Sequence, residues 1–288
     1  MNRKLLNMSE IEKNTWFQIG ASVKGKNHLQ ENTPCQDNHY YKRIHKNWHM
    51  AIVADGAGSY NNAHLGAAFV VKNAFEVFKA NMITEDWFKQ SKAPSAEVWR
   101  HLSIMSLKQV YDNLKVYATQ NNYSFKSLSS TIILMVYGSN VLMMAHIGDG
   151  RAAVLTNNND WQAAMTPAKG SEVGTTWFLT SDSIWHDPHA TIETRVWNEP
   201  VKAFAMLTDG LENYCFHCYT KDEVSSIYSD PNMPLNSFFN QNIEHLKSLK
   251  DLKTPKHTIK KMLQQYLKNG REEYVNEGDD RTLVLGFR

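Results

Sequence analysis

Three apolar runs in this chain end on an aspartate next to glycine: Met50-Ala-Ile-Val-Ala-Asp55-Gly56, Val141-Leu-Met-Met-Ala-His-Ile-Gly-Asp149-Gly150 and Ala203-Phe-Ala-Met-Leu-Thr-Asp209-Gly210. Ala51 to Ala54 is too short for a helix and reads as a strand buried on both faces. Gly56 and Gly58 let the backbone turn and approach a ligand closely, which makes the Gly56 carbonyl available as an oxygen ligand beside Asp55. A mirror-image arrangement closes the chain, where Gly278-Asp279-Asp280-Arg281 runs into the strand Thr282 to Phe287, and Gln36-Asp37 likewise precede the strand His39 to Ile44. Carboxylates that end some strands and start others fall on one sheet edge if those strands are antiparallel. Five acidic side chains gathered there repel one another, and divalent cations relieve that repulsion. All-oxygen sites of this kind select hard ions, Mg²⁺ or Mn²⁺, rather than zinc.

The order and spacing of six short motifs then become informative: Cys35-Gln-Asp37, Val53-Ala-Asp-Gly56, Ser130-Thr131 opening a strand, Ile147-Gly-Asp149 with Arg151, Thr208-Asp-Gly-Leu211, and Asp279-Asp-Arg-Thr282. Together they span nearly the whole chain, and the sequence resembles the metal-dependent type-2C protein phosphatases, in the manner of a bacterial member. The resemblance implies an α+β fold, a four-layer αββα sandwich of two antiparallel sheets flanked by helices, with two metal ions at one end. It implies that Asp55, Asp209, Asp279 and the Gly56 carbonyl hold those two Mg²⁺ or Mn²⁺ ions. Asp37 acts on a metal directly or through its waters, and Asp149 helps to hold a third, weaker ion. The reaction implied is hydrolysis of serine and threonine phosphate esters by a metal-activated water, with Asp37, Asp55, Asp209 and Asp279 as the catalytic set.

The chain departs from the family at three places. Relatives carry an arginine a few residues before the acidic pair to grip the substrate phosphate, but Glu31-Asn-Thr33 holds none, which leaves Lys24, Lys26 or His28 to supply the charge. Gln36 stands where some relatives have a metal-binding glutamate. Ala57 occupies the position at which some place a histidine to protonate the leaving alcohol, so the identity of the general acid stays open.

The rest of the chain frames these motifs. With 288 residues and 42% hydrophobic content it has ample material for a core, and it carries neither an internal repeat nor a Pro-, Gly- or Ser-rich linker, so residues 1–288 read as one catalytic domain. Met1 to Asn7 make neither a signal peptide nor an anchor, no stretch is long enough to span a bilayer, and three cysteines argue against a disulfide scaffold; a cytoplasmic protein is expected. Phe17 to Val23 is the expected first strand, followed by a polar loop over Lys24 to Pro34 that leads to Asp37. Helices are expected over Ala63 to Lys79, capped by Asn61, over Ala96 to Gln120, over Leu235 to Leu249 and over Thr258 to Leu267, with a packed connection from Ile83 to Pro94. Strands are expected over Ser127 to Tyr137 and Val141 to Ile147, joined by a hairpin at Gly138-Ser-Asn140, then over Arg151 to Thr156, Thr175 to Leu179 and Thr191 to Trp197.

Several features read as structure rather than chemistry. Met143 and Met144 fill the core, and Asp149 outside a metal site is a turn carboxylate paired with Arg151. Ser181 to His189 is a loop despite His186, Asp187 and His189, and Cys215 and Cys218 lack the second pair that a zinc site needs. Lys247 to Arg271 carries eight basic residues against the single acid Asp251. That run is a solvated helix face or attracts an acidic protein partner, while a net charge of +2 and the lack of a stacked aromatic pattern argue against nucleic acid. The partners expected are a phosphoprotein substrate and a cognate serine/threonine kinase, with no membrane. Two rival functions remain: a pseudophosphatase that binds a partner such as a kinase without turnover, and a metal-dependent phosphatase of small molecules.

Overall fold

Met50, Ile52 and Ala54 along β3 (Trp48–Ala54) join one apolar cluster, and Ala51 and Val53 between them join another. That alternation is the period of two of a pleated strand, so β3 is covered on both faces and must lie in the middle of a layered structure. The strand at the C-terminal end of the chain repeats the pattern: Leu283, Leu285 and Phe287 enter a third cluster, and Val284 enters the one that holds Val53. The cluster shared by the two strands is the interior of a β-sandwich.

The computed structural model describes residues 16–46, 48–85, 87–89, 93–168, 176–221 and 228–288. The expectations for Met1 to Asn7, for Thr175 and for part of the 83–94 connection lie outside the described residues. One sheet runs β1 (Phe17–Val23), β14 (Arg281–Phe287), β9 (Ala203–Leu207), β6 (Arg151–Leu155) and β7 (Trp161–Ala163). The other runs β2 (Asn38–His45), β3, β4 (Ile132–Tyr137), β5 (Leu142–Ile147) and β8 (Glu193–Trp197). Every neighbouring pair in both sheets is antiparallel. Four minor strands, β10 (Phe216–His217), β11 (Thr220–Lys221), β12 (Tyr228–Ser229) and β13 (Met233–Pro234), form two small ribbons beyond β9.

Helices cover the outer faces. On the β3 sheet lie α2 (Ala63–Thr84) and α3 (Ala96–Gln120), which bury Val70, Ala74, Phe78, Leu107, Val110 and Leu114 against it. The Ser95 side chain caps α3 by accepting from the Val98 amide, and Trp99 donates its indole N–H to the Met144 carbonyl at 2.7 Å. On the β14 sheet lie α7 (Asn236–Asp251) and α8 (Lys256–Asn269), whose Phe239, Ile243, Ile259 and Leu263 complete that outer core. Fully burying each such side chain contributes about 1.5–3 kcal/mol. The result is the four-layer αββα sandwich expected from the sequence, and none of its described helices is long and apolar enough to cross a membrane.

Several local expectations are corrected. The loop over Lys24 to Pro34 contains a short helix, α1 (Lys26–Gln30), and the Ser181 to His189 loop contains α4 (Asp182–His186) and α5 (Pro188–Thr191). Asp187 is a helix cap there, accepting from the Ala190 amide at 3.1 Å. No strand runs over residues 176–179 among the described residues, and the first turn of the strand expected at Ser127 is a 3₁₀ segment, Phe125–Leu128. Asn62 rather than Asn61 precedes α2, and its side chain makes no capping bond. Two further short helices, α6 (Glu212–Cys215) and α9 (Glu272–Asn276), flank the site described next.

Candidate metal and phosphate site

Antiparallel pairing places the acidic residues. Ala54 at the end of β3 is paired with Asn38 at the start of β2, so Asp55 and Asp37 leave the same end of one sheet. Leu207 at the end of β9 is paired with Leu283 near the start of β14 and with Arg151 at the start of β6, which brings Asp209, the Asp279–Asp280 pair and Asp149 to the same end of the other sheet. Strand register therefore gathers the expected aspartates at one end of each sheet.

Backbone and hydroxyl contacts hold them there. The Asp55 amide donates to the Thr131 hydroxyl at 3.0 Å, and the Thr131 amide donates back to the Asp55 carbonyl at 2.8 Å. Gly56 forms an isolated bridge with Ser130, and a Cβ added at Gly56 would lie 2.9 Å from the carbonyl oxygens of Ala63 and Gln36, so only glycine fits this approach. Thr208 donates its hydroxyl to Asp37 Oδ2 at 2.7 Å and accepts from the Thr282 amide, tying the two sheets together beneath the site.

Asp280 carries more of this architecture than its place in the motif suggested. It is buried, and its carboxylate accepts from the backbone amides of Gly25 at 2.8 Å and Gln36 at 2.5 Å. His28 Nδ1 lies 2.9 Å from the same carboxylate, off the line of a regular hydrogen bond. One side chain thus clasps both ends of the 25–36 segment. The doublet of acids at 279–280 was visible in the sequence, but nothing local marked its second member as the buried one.

The electrostatics show how crowded the site is. Burial, then Asp209, Asp37 and Asp279, push the Asp55 carboxyl well above its ordinary range. Burial and Asp280 do the same to Asp37, against the opposing Thr208 hydrogen bond. Asp209 is pushed up to about 7 by burial, Asp279 and Asp149. Asp279 reaches the surface, yet the desolvation of its carboxyl and the charge of Asp280 still raise it. Asp149, half-buried, is raised by burial and by Glu212. Each carboxyl is thus held towards its neutral form by the others.

Two observations bear on a divalent cation. Asp37 Oδ1 and Asp209 Oδ1 are buried with no hydrogen-bond partner, an arrangement that leaves strong acceptors unsatisfied unless a cation meets them. No group of three or more His, Cys, Asp or Glu among the described residues is drawn tightly enough to ligate one ion. Mg²⁺ keeps several of its waters and takes only one or two carboxylates, so the donor set fits such an ion without closer gathering.

Other sequence expectations resolve differently. Arg151 does not pair with Asp149: it is buried, donates to Glu212 Oε2 at 2.8 Å, to Asp230 Oδ2 at 2.7 Å and to Asn232 Oδ1 at 2.6 Å, and fastens the ribbons beyond β9 to the sandwich. Its partners lie 61 to 81 positions away, beyond the reach of any local pattern. Of the three basic candidates for the phosphate, only His28 stands at the carboxylates, whereas Lys24 and Lys26 line a cavity on the other side of their segment. Ala57 is buried, so the position after the glycine offers no side chain to the site. Cys215 and Cys218 are in no disulfide and are buried, and burial pushes the Cys215 thiol well up.

Comparison with known proteins gives the family and the fold. The family profile for Protein phosphatase 2C matches residues 24–273, and the chain belongs to that family. Serine/threonine-protein phosphatase 3 of Escherichia coli is 23% identical over 282 residues, covering 95% of this chain and 98% of the relative. The serine/threonine phosphatase of S. agalactiae is similar in structure with a TM-score of 0.56 at 12% identity, covering 94% of this chain and 99% of that one. The catalytic domain of the serine threonine protein phosphatase PstP, solved in complex with two manganese ions, gives 0.53 at 12% identity over 94% of this chain and 97% of that domain.

Proposed function

We propose that the chain is a Mg²⁺- or Mn²⁺-dependent serine/threonine phosphoprotein phosphatase of the cytoplasm, with residues 1–288 acting as one catalytic domain. The observation that carries this reading is the convergence of Asp37, Asp55, Asp149, Asp209 and Asp279 at one end of the sandwich, with orphaned oxygens on Asp37 and Asp209. A protein that only bound a partner would gain nothing from so much uncompensated charge, which weighs against the pseudophosphatase.

Asp55, Asp209, Asp279 and the Gly56 carbonyl would hold two ions, with Asp37 acting on one of them directly or through water and Asp149 beside a third. When bound, such ions neutralise the phosphate and supply a nucleophilic water at neutral pH. The protein's own share is positional: Thr131 and Thr208 fix Asp55 and Asp37, and Asp280 fixes the segment that carries His28. His28 is our candidate for the side chain that orients the substrate phosphate in place of the family arginine. The substrate is a phosphorylated serine or threonine of a protein, and a cognate kinase is the natural opposing enzyme.

Asp209→Asn tests the metal assignment, because it removes one charge while keeping nearly the same shape. Calorimetric titration with Mn²⁺ should show affinity reduced by at least about tenfold, each tenfold being about 1.4 kcal/mol. Thermal stability without metal should hold or rise, since one of several crowded carboxylates is gone. Unchanged Mn²⁺ affinity with a fall in metal-free stability would make Asp209 a structural hydrogen-bonding residue and overturn the assignment.

A further inference from the structure

Helix α8 starts badly. Lys256 and His257 occupy its first turn, no acid is present there, and Pro255 before it offers no capping side chain. Cations at a helix N-terminus oppose the macrodipole, and Lys256 and Lys260 one turn apart repel each other. With Gln264 and Lys268 they form a stripe at intervals of four, one face of the helix, about 18 Å long at 1.5 Å per residue.

That face lies beside the edges of the two sheets. Lys256 Nζ lies 5.0 Å from the Tyr41 ring and 5.7 Å from the Phe17 ring, on the edge strands β2 and β1 of the two sheets. Phe17 packs on Phe287 at 5.2 Å between centroids, and Lys250 Nζ stands 5.6 Å from that ring. At the other end, Gln264 and Lys268 meet Lys24, Lys26 and Cys35 around a cavity of about 550 Å³. The stripe therefore starts beside the sheet edges and ends at this cavity, and the two together make a basic groove against the 24–36 segment, whose Gly25 and Gln36 amides are held by Asp280.

The described charges that line it are of one sign. Among the described residues none of Lys24, Lys26, Lys256, Lys260 and Lys268 forms an ion pair. His39 is lowered to about 4 by burial and then by Lys260, and His49 to about 4 by burial and then by Arg43 and Lys256, so the charges acting on both rings are cations. Burial lowers Lys256, and no described carboxylate offsets it. The fold tolerates helix-end and like-charge costs along one line, and an anionic partner would relieve both.

We propose that this groove docks an acidic segment of the phosphoprotein substrate while the phosphorylated residue sits at the aspartate end. The inference rests on the phosphatase reading and adds a substrate preference to it. An extended chain rises about 3.3 Å per residue, so the stripe matches five or six residues, enough for several Glu or Asp side chains to meet Lys256, Lys260 and Lys268. Such contacts act on encounter and binding rather than on the chemical step, and salt weakens them.

The test compares a phosphothreonine peptide with a glutamate-rich flank, the same peptide with a serine-rich flank, and an aryl phosphate. Lys256→Glu/Lys260→Glu should raise KM for the acidic peptide by at least about tenfold, leave kcat unchanged, and leave both other substrates unaffected. Lys260→Glu/Lys268→Glu, which leaves Lys256 and its ring contacts in place, should act in the same direction and guards against a folding effect of Lys256. Equal kinetics on the two peptides in the wild type, or an unchanged ratio in both variants, would overturn the proposal. If the wild type hydrolyses none of the three, the phosphatase reading fails separately, and fluorescence anisotropy of the labelled acidic peptide still decides the groove: loss of binding in both variants supports it, and retention overturns it. Tighter binding of a single-stranded oligonucleotide or an anionic vesicle than of the acidic peptide would overturn the assignment of a protein partner.

Discussion

His28 is where this chain's departure from its family is concentrated. The family's phosphate-gripping arginine is missing from Glu31-Asn-Thr33, and a histidine 2.9 Å from the buried Asp280 carboxylate stands nearest to where such a charge is needed. A contact made equally to the ground and transition states acts on KM and leaves kcat alone. His28→Ala should therefore raise KM for an aryl phosphate by about tenfold with little change in kcat, and Lys24→Ala and Lys26→Ala should leave that substrate untouched because both lysines face the other cavity. Steady-state kinetics on the three variants check this. An effect of Lys24 or Lys26 equal to that of His28 would move the phosphate to the other side of the segment.

Among the elements, the ribbons beyond β9 depend on the Arg151 fork. Its guanidinium is buried and shared among Glu212, Asp230 and Asn232. Removing one partner of a buried ionic cluster leaves the remaining charges unpaired, which costs about 3–5 kcal/mol. Arg151→Met should lose that much in urea unfolding, and a loss under about 1 kcal/mol would show that the fork is solvated. This element also marks the boundary of what local sequence can say. The strands ending in Asp55, Asp149 and Asp209 were legible because a short apolar run followed by a carboxylate and glycine has few alternatives, and antiparallel register then brings them together. The long helices were legible from their periodicity, with α3 found at Ala96 to Gln120 as expected. The α1 turn was missed because five residues hold too little of a repeat to register. Asp280 and the Arg151 fork were missed because their partners are decided by tertiary packing tens to hundreds of positions away.

Across the whole molecule, two sheets with opposite needs meet at one end. Their shared interior, from Val53 and Met135 to Phe204 and Val284, is apolar and closely packed, while the rim above it concentrates carboxylates that raise one another. That concentration of charge is what a divalent cation would neutralise. The measurement that tests this most directly is phosphate release from a phosphothreonine peptide by the wild-type protein with Mn²⁺ or Mg²⁺, after chelation, and after the metal is restored. The account predicts turnover with metal, none after chelation, and recovery on restoration. Turnover that survives chelation, or a protein that binds Mn²⁺ and releases no phosphate from any phosphoprotein or phosphopeptide offered, would contradict it.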